Sequence, residues 1–241
     1  VMIVLAVPSI YMYTQTEDSA DMISIMPDSE SVDGLNSIMS QADGGMIMPT
    51  YIVLDLDSSI ATVTSVDYMG TSLPLVIWNE KGLSIDTTTG NVSGIVPSVM
   101  QISNSISEKY EIVGTISGVN SWQVLYMKVA ASGLVDPTNT VMINNILLNQ
   151  MPAAVQDYIK QIMEMTAYQA TPTTEVVPGS GITVANVIDG ILNYGTGIIS
   201  PDGQHISMMV ITTQEPMSND TIDFIDAVRE DFHGEGGYDS L

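Results

Sequence analysis

Residues 197–232 read GIISPDGQHISMMVITTQEPMSNDTIDFIDAVREDF and carry the clearest structural signal in the chain. Asp202-Gly203 is a dipeptide typical of a turn, and residues 204–213 predict a strand with apolar side chains on both faces. A capped helix is predicted from about Asn219 to Phe232. Its apolar stripe at helical spacing consists of Ile222, Ile225, Val228 and Phe232. A turn, a strand and an amphipathic helix in direct succession predict a mixed α+β fold.

Upstream of this stretch, the chain alternates between short strand patterns and helix patterns. The predicted elements are a strand at 46–56, a hairpin at 73–85 with its turn at 79–82, a helix at 90–110 and a strand at 118–131. We expect the strands at 51–56 and 204–213 to share one sheet, because a lone buried strand leaves its backbone N–H and C=O groups without partners.

The section between these strands, residues 137–170, is predicted to be helical in two parts that meet near Met151-Pro152. Residues 171–181 (TPTTEVVPGSG) follow as a linker, and residues 182–192 predict a short helix. The helical section is rich in apolar side chains that could line a cleft for an apolar or amphipathic ligand. The candidate ligand contacts are Met142, Ile146, Met151 and Ile162. The alternative is that these side chains simply form the core of a helical subdomain.

The charge of the chain excludes several classes of partner. Among 241 residues there are 5 basic and 28 acidic side chains, which gives a net charge of −23. Such a surface repels nucleic-acid phosphate and anionic lipid headgroups, so no nucleic-acid partner is expected. It suits a solvated face outside the cell, although acidity could also serve solubility alone. The absence of cysteine excludes disulfides, thiolate zinc sites and cysteine nucleophiles.

Residues 1–13 (VMIVLAVPSIYMY) are apolar except for Ser9, and the chain turns polar directly after them. A membrane-spanning helix needs about 20 apolar residues, so this run is too short to cross a bilayer alone. We interpret it as the outer end of a transmembrane helix that begins upstream. The alternative is a buried first strand or helix of a soluble domain. Residues 29–42 then predict an amphipathic helix.

One stretch, IVLDLDS at residues 52–58, resembles the nucleophile motif of haloacid-dehalogenase-type phosphotransferases through Asp55 and Asp57. That chemistry also needs a downstream acidic pair to hold magnesium, and none follows in the sequence. The two histidines, His205 and His233, have neither the spacing of zinc ligands nor a nucleophile elbow nearby. The sequence therefore predicts no catalytic residue, no cofactor and no metal site, and we expect a protein that is not an enzyme.

Two stretches together resemble a known family. Leu5-Ala-Val-Pro8 followed by residues 25–30 (IMPDSE) is similar to the exit from a membrane helix in the MMPL-type transporters of the resistance–nodulation–division superfamily. Residues 199–218 and 223–229 are similar to that family's S-x-D-G turn, strand, polar link and helix with an arginine near its end. The resemblance covers both ends of the chain well and residues 68–197 only loosely.

The resemblance implies an extracytoplasmic loop domain of the porter type, attached to the cell membrane. Its expected fold is a ferredoxin-like βαβ sheet with helices on one face, spanning residues 14–241, with residues 132–195 as a mainly helical insertion. The implied function is transport of hydrophobic or amphipathic, lipid-like molecules, with the rest of the same membrane protein as partner and no chemistry in this domain. The alternative reading from another class is a membrane-anchored, acidic structural or adhesion domain of the cell surface.

Overall fold

The computed structural model describes residues 33–34, 37, 48–68, 70–86, 89–214 and 218–233. Residues 33, 34 and 37 are helical. The rest of the helix predicted at 29–42 and the apolar run at 1–13 lie outside the described residues.

The described part of the chain is a mixed α+β structure, as the sequence predicted. Its strands are β1 (Thr50–Asp55), β2 (Ala61–Tyr68), β3 (Thr71–Trp78), β4 (Ser84–Ile85), β5 (Val92–Ser93), β6 (Val113–Ser117) and β7 (His205–Thr212). Its α-helices are α1 (Ile95–Lys109), α2 (Trp122–Ala131), α3 (Thr140–Asn149), α4 (Ala153–Met165), α5 (Val184–Asp189) and α6 (Asn219–His233). A π-helical turn, Gly190–Tyr194, continues directly from α5.

The strands form three small sheets. One has the order β1-β7-β6, so the prediction that residues 51–56 and 204–213 share a sheet is confirmed. β2 and β3 form an antiparallel hairpin whose register runs from Ala61 opposite Trp78 to Tyr68 opposite Thr71. β4 and β5 pair over two residues each.

The chain divides into two compact units. The larger contains residues 51–106 and 116–209, and the described part of the smaller contains residues 107–115 and 210–233 together with the described residues up to 50. The larger unit has a main hydrophobic core between α2, α3, α4 and α5, which we call the helical core. Its buried members are Trp122, Val135, Ile143, Leu147, Leu148, Met151, Ile159, Met163, Ala170, Val184, Ala185, Ile188 and Leu192.

A second cluster of the larger unit joins the helices to the β2–β3 hairpin. Leu73 and Leu75 of β3 pack with Ile162 of α4 and Val187 of α5. The two leucines are two residues apart and lie on the same face of the strand, as the period of a strand requires. The hairpin therefore supplies an apolar surface that α4 and α5 cover with side chains next to those that they place in the helical core.

One predicted strand is a helix in the structure. Residues 118–131 were predicted as a strand, which is wrong: they contain helix α2, with Trp122 and Val124 buried. The run LYMK at 125–128 contains residues that favour a helix, in agreement with the helix observed here. The prediction of a strand gave too much weight to the apolar pattern of these residues.

The predicted hairpin at 73–85 is also wrong in its pairing, because β3 pairs back to β2 and β4 pairs forward to β5. The turn at 79–82 does exist. It is held by the side chain of Asn79, whose Oδ1 accepts hydrogen bonds from the backbone N–H groups of Lys81 at 3.0 Å and Gly82 at 3.1 Å. The turn residues thus predicted correctly that the chain reverses here, but they did not predict which strands pair.

Helix α6 in the smaller unit forms where predicted, and Val228 and Phe232 of its predicted apolar stripe are buried, but the other two members of the stripe are not. Its buried side chains are Thr221, Phe224, Val228 and Phe232, whereas Ile222 is 40% exposed and Ile225 is half-buried. Phe224 packs edge-to-face against Tyr110, with ring centroids 5.2 Å apart. The ring of Phe224 buries more apolar area than either isoleucine would, which explains why the helix is rotated so that Phe224 joins Val228 and Phe232 on the buried face.

The rotated face of α6 gives a first prediction. Replacing Phe224 by alanine should lower the free energy of unfolding by about 3–5 kcal/mol, because it deletes a buried ring and leaves a cavity beside Tyr110. Replacing Ile222 by alanine is the matched control and should cost about 1 kcal/mol or less, since that side chain is already 40% exposed. Chemical denaturation of both variants measures the difference. A larger loss for Ile222→Ala than for Phe224→Ala would mean that the helix packs through the predicted stripe.

Candidate functional site

The most unusual group in the larger unit is the carboxyl of Asp189, the last residue of α5. It is fully buried and accepts three hydrogen bonds from two parts of the chain. Trp78 Nε1 donates to Oδ2 at 2.6 Å, and Ser121 Oγ donates to the same oxygen at 3.2 Å. The backbone N–H of Trp122 donates to Oδ1 at 2.6 Å. The carboxyl therefore ties α5 to strand β3 and to the beginning of α2.

The carboxyl of Asp189 caps helix α2, although the two lie 67 residues apart in the chain. The first residue outside that helix, Ser121, makes no side-chain capping bond to the helix, and its hydroxyl points to Asp189 instead. The free N–H of Trp122 at the start of the helix is satisfied by the carboxyl of Asp189. A carboxylate at this place also interacts favourably with the positive end of the helix dipole.

The local sequence explains how α5 presents this carboxyl. The helix begins with a capping box, in which Thr183 Oγ1 accepts from the N–H of Asn186 at 3.3 Å and Asn186 Oδ1 accepts from the N–H of Thr183 at 3.0 Å. At its other end Gly190 lies against the backbone of Pro74, so closely that a Cβ would clash with the Pro74 carbonyl. The absence of a side chain there lets α5 and the π-helical turn sit directly on β3.

A second buried side chain extends the network along the π-helical turn. Asn193 Nδ2 donates to the carbonyl of Asp189 at 2.7 Å and to the carbonyl of Asn120 at 2.7 Å. Its Oδ1 accepts from the N–H of Asn120 at 2.9 Å. The segment 120–122 is thus bound through both Asn193 and Asp189, which fixes the loop before α2.

Burial dominates the electrostatics of this site. Removal from water raises the pKa of Asp189 from its ordinary 3.8 to about 7, although the donors on Trp122, Trp78 and Ser121 act in the opposite direction. Among the described residues, no Lys, Arg or His forms an ion pair with it. The raised pKa of Asp189 is therefore due to its burial, and no cation of the described residues pairs with it to offset that effect.

These features make the Asp189 network a structural centre that joins β3, α2 and α5. Its three hydrogen bonds all come from the protein, and the side chain has no exposed surface with which to meet a substrate. A general acid or base must reach the proton that it transfers, directly or through one water.

The phosphotransferase-like stretch at 52–58 lies at the surface. Asp55 Oδ1 is 2.7 Å from His205 Nδ1, and His205 Nε2 is 3.8 Å from Asp202 Oδ2. Ser58 accepts a hydrogen bond from Lys81 Nζ at 3.0 Å. His205 thus joins the end of β1 to the turn before β7, a contact that the sequence did not suggest. In the described part of the chain, no three metal-binding side chains converge in a way that could hold an ion.

The four candidate ligand contacts are not brought together on one surface. Met151 is 7% exposed within the helical core, and Ile146 packs against that core. Ile162 is 2% exposed and belongs to the separate cluster with β3. Met142 is 46% exposed. The binding role assigned to them in a cleft stays a prediction, and in this structure only Met142 offers a large exposed surface.

The sequence reasoning missed Asp189 and Asn193. A signal was present, because the run ITVANVIDGILNY at 182–194 holds one acid among apolar residues. An acid inside an apolar helical pattern is rarely buried unless it is paired, so it marks a position that needs partners elsewhere. Those partners lie 67 to 111 residues away in the chain, where no local pattern indicates them.

No family model, no curated protein and no solved structure matches this chain. Among the described residues, no helix combines the length and the apolar character that crossing a bilayer requires.

Proposed function

We propose that this chain is the extracytoplasmic, non-enzymatic loop domain of a membrane transporter that moves hydrophobic or amphipathic, lipid-like molecules. The observation that carries the proposal is the strand order β1-β7-β6. In the chain, strands β2 to β5 and then α1 lie between β1 and β6, and β7 is inserted between β1 and β6 in the sheet. A strand–helix–strand unit split by a third strand is the core of the ferredoxin-like fold that the porter domains of the family are expected to have.

The C-terminal part of the chain supports the same assignment. The turn at Ser200–Gly203 leads directly into β7, and α6 follows after a short link, which is the order of the similar segment in MMPL-type transporters. Gly203 has a φ of +67°, and a Cβ there would lie 2.5 Å from the carbonyl oxygen of Ala61. The positive φ and the lack of space for a Cβ therefore explain why the S-x-D-G phrase ends in a glycine in this fold.

The segment between β6 and β7 supplies the part of the domain that would handle cargo. In an ordinary split unit this connection is short, but here it holds helices α2 to α5 and the helical core. The apolar side chains at the surface of this section are the contacts that a lipid-like molecule needs. They include Leu134, Val141, Met142, Tyr158 and Met165, which are between 40% and 85% exposed.

The surroundings of the domain follow from its charge. With a net charge of −23, the domain would be repelled by an anionic membrane surface and by nucleic acid, and it would stay solvated outside the membrane. In this proposal its partner is the remainder of the same membrane protein. Energy coupling takes place in that remainder, and the domain itself does no chemistry.

The full open reading frame that contains this chain tests the proposal. A transporter requires several further membrane-spanning helices, each with about 20 apolar residues, and one of them should end within residues 1–13. A reading frame with a single membrane anchor or none would contradict transport and favour a membrane-anchored, acidic surface domain.

A further inference from the structure

The sequence contains two triplets of the form Asn-X-Ser/Thr, which is the acceptor motif for N-linked glycosylation. They are Asn91-Val92-Ser93 and Asn219-Asp220-Thr221. A folded chain can be glycosylated at such a triplet only if two groups are accessible at once. The transferase must reach Nδ2 of the asparagine, and it must also bind the hydroxyl two residues later, which the motif demands. The two triplets differ in this respect.

The triplet at Asn91 presents both groups at the surface. Asn91 directly precedes β5, and Ser93 is the second residue of that strand. Residues two apart along a strand point to the same face, so the amide and the hydroxyl lie on one side. The burial agrees with this, since Asn91 and Ser93 are exposed whereas Val92 between them is half-buried.

Few contacts hold this triplet in place. β5 pairs with β4 over two residues, and among the described strands its other edge has no partner. The hydrogen bonds of Asn91 to described residues involve its backbone: its N–H donates to Thr89 Oγ1 at 3.3 Å, and its carbonyl accepts from the N–H of Asp86 at 2.9 Å. A transferase can therefore approach along the open edge, and lifting the triplet requires only two ladder positions to open.

The triplet at Asn219 lies instead in the first turn of α6. Thr221 is 1% exposed, and its Oγ1 accepts a hydrogen bond from Ser218 Oγ at 3.1 Å. Residues two apart along a helix do not share a face, so the hydroxyl is buried although Asn219 itself is exposed. A transferase could bind this hydroxyl only after the first turn of the helix had unwound.

We propose that Asn91 is a site of N-linked glycosylation and that the folded chain does not accept a glycan at Asn219. The donor is an oligosaccharide joined through the anomeric carbon of its first sugar to a polyprenyl phosphate carrier. Nδ2 of Asn91 attacks that carbon. The new N–C bond forms as the C–O bond to the carrier breaks, and the carrier phosphate leaves with the electron pair. One amide proton passes to a base of the transferase, and nothing is oxidised or reduced.

Occupation of this site in the cell rests on the proposed function, because such donors are used on the extracytoplasmic side of a membrane. The ability of the purified chain to accept a glycan does not rest on it. A glycan at Asn91 would also cover the open edge of β5, where the unpaired backbone could otherwise pair with a strand of another chain.

Incubation of the purified intact chain with an oligosaccharyltransferase and its lipid-linked donor tests the site itself. We expect peptide mass spectrometry to find an occupancy at Asn91 about tenfold or more above that at Asn219, because only the second triplet must unfold first. Peptides of the same chain, cut with trypsin beforehand, should accept the glycan at both positions, since neither hydroxyl is then buried. A folded chain that accepts equally at both positions, or not at Asn91, would overturn the proposal.

Ser93→Ala is the matched control, because it leaves Asn91 in place and removes only an exposed hydroxyl. It should abolish the modification of Asn91, while circular dichroism shows the fold of the parent. A glycan that still appears at Asn91 in this variant would mean that the triplet is not what the transferase recognises, and it would overturn the assignment.

Mass spectrometry of the full-length protein from its own membrane tests the site in the cell. It is combined with labelling of Leu134→Cys, at a position that is 85% exposed, by a membrane-impermeant maleimide on intact cells. We expect a labelled domain that carries a glycan mass at Asn91. A labelled domain with an unmodified Asn91 would overturn the glycosylation alone. An unmodified Asn91 in a domain that is labelled only after permeabilisation would overturn both the glycosylation and the transporter proposal.

Discussion

Replacing Gly190 by alanine is expected to remove most of the stability of the larger unit. The added Cβ would collide with the backbone carbonyl of Pro74 and would lie 2.7 Å from the Cα of Leu75. Both are backbone atoms of strand β3, so neither can move aside as the end of a side chain could. Relief requires α5 and the π-helical turn to lift off the hairpin, which also disturbs the Asp189 hydrogen bonds. We expect a loss of about 4 kcal/mol or more, a large part of the stability of an ordinary domain.

A second glycine-to-alanine change provides the matched control. Gly34 is helical, and within the part of the chain that the structure describes no atom lies within 4 Å of an added Cβ, apart from its chain neighbours and the backbone of its own helix. Alanine in a helix is more favourable than glycine, so Gly34→Ala should melt at or above the temperature of the parent. Thermal unfolding followed by circular dichroism compares the two variants. A Gly190→Ala chain that melts together with the parent would show that α5 does not rest on β3 as described.

Asp189 is expected to make the chain less stable as pH rises from about 4 to about 7. The pKa of this carboxyl is 3.8 as a free side chain and about 7 in the folded protein. Between these values the folded state holds a proton that the unfolded state has released. The stabilisation is therefore complete below pH 3.8, declines as pH rises and is gone above about 7. At 1.36 kcal/mol for each pKa unit, the loss is about 4 kcal/mol.

Asp189→Asn is the variant that isolates this effect. Its side-chain oxygen can still accept from the N–H of Trp122, but it has no proton to bind, so the difference in free energy of unfolding between parent and variant should change by about 4 kcal/mol across this window. The carboxyls of Asp136, Asp202 and Asp231 have pKa values below the ordinary 3.8, because hydrogen bonds favour their charged forms. These three carboxyls change the stability only at lower pH. They are present in both the parent and the variant, so their effect cancels in the difference between the two. Urea unfolding at pH 4, 5.5 and 7.5 measures the difference, and parallel pH profiles would refute a buried, neutral Asp189.

The parts of the fold that the sequence predicted are those with a local pattern. Strand β7 and helix α6 follow a turn dipeptide and repeat at the periods of a strand and a helix, and the break between α3 and α4 coincides with Met151-Pro152. The buried face of α6 was predicted only in part, with Val228 and Phe232, because a stripe through the isoleucines and a stripe through Phe224 both fit the spacing of a helix. The choice between them depends on Tyr110, which lies 114 residues from Phe224 in the chain (224 − 110).

The candidate site could not be predicted because it consists of contacts between distant segments. Asp189 meets Trp78 across 111 residues, and nothing in the sequence near either residue indicates the other. Helix α2 was missed because its apolar pattern was read as a strand, although Ser121 before it is a residue type that often begins a helix. In the structure Ser121 does not cap the helix, and the N–H of Trp122 is capped by Asp189, which no local pattern indicates.

Labelling of single cysteines in the full-length protein tests the transporter proposal most directly. The chain contains no cysteine, so a cysteine placed here is unique once those elsewhere in the protein have been removed. Leu134 is 85% exposed and Ile143 is fully buried. The proposal predicts that Leu134→Cys reacts with a membrane-impermeant maleimide on intact cells, while Ile143→Cys reacts only after denaturation. Reaction of Leu134→Cys only after the cells are permeabilised would place the domain inside the cell and contradict the proposal.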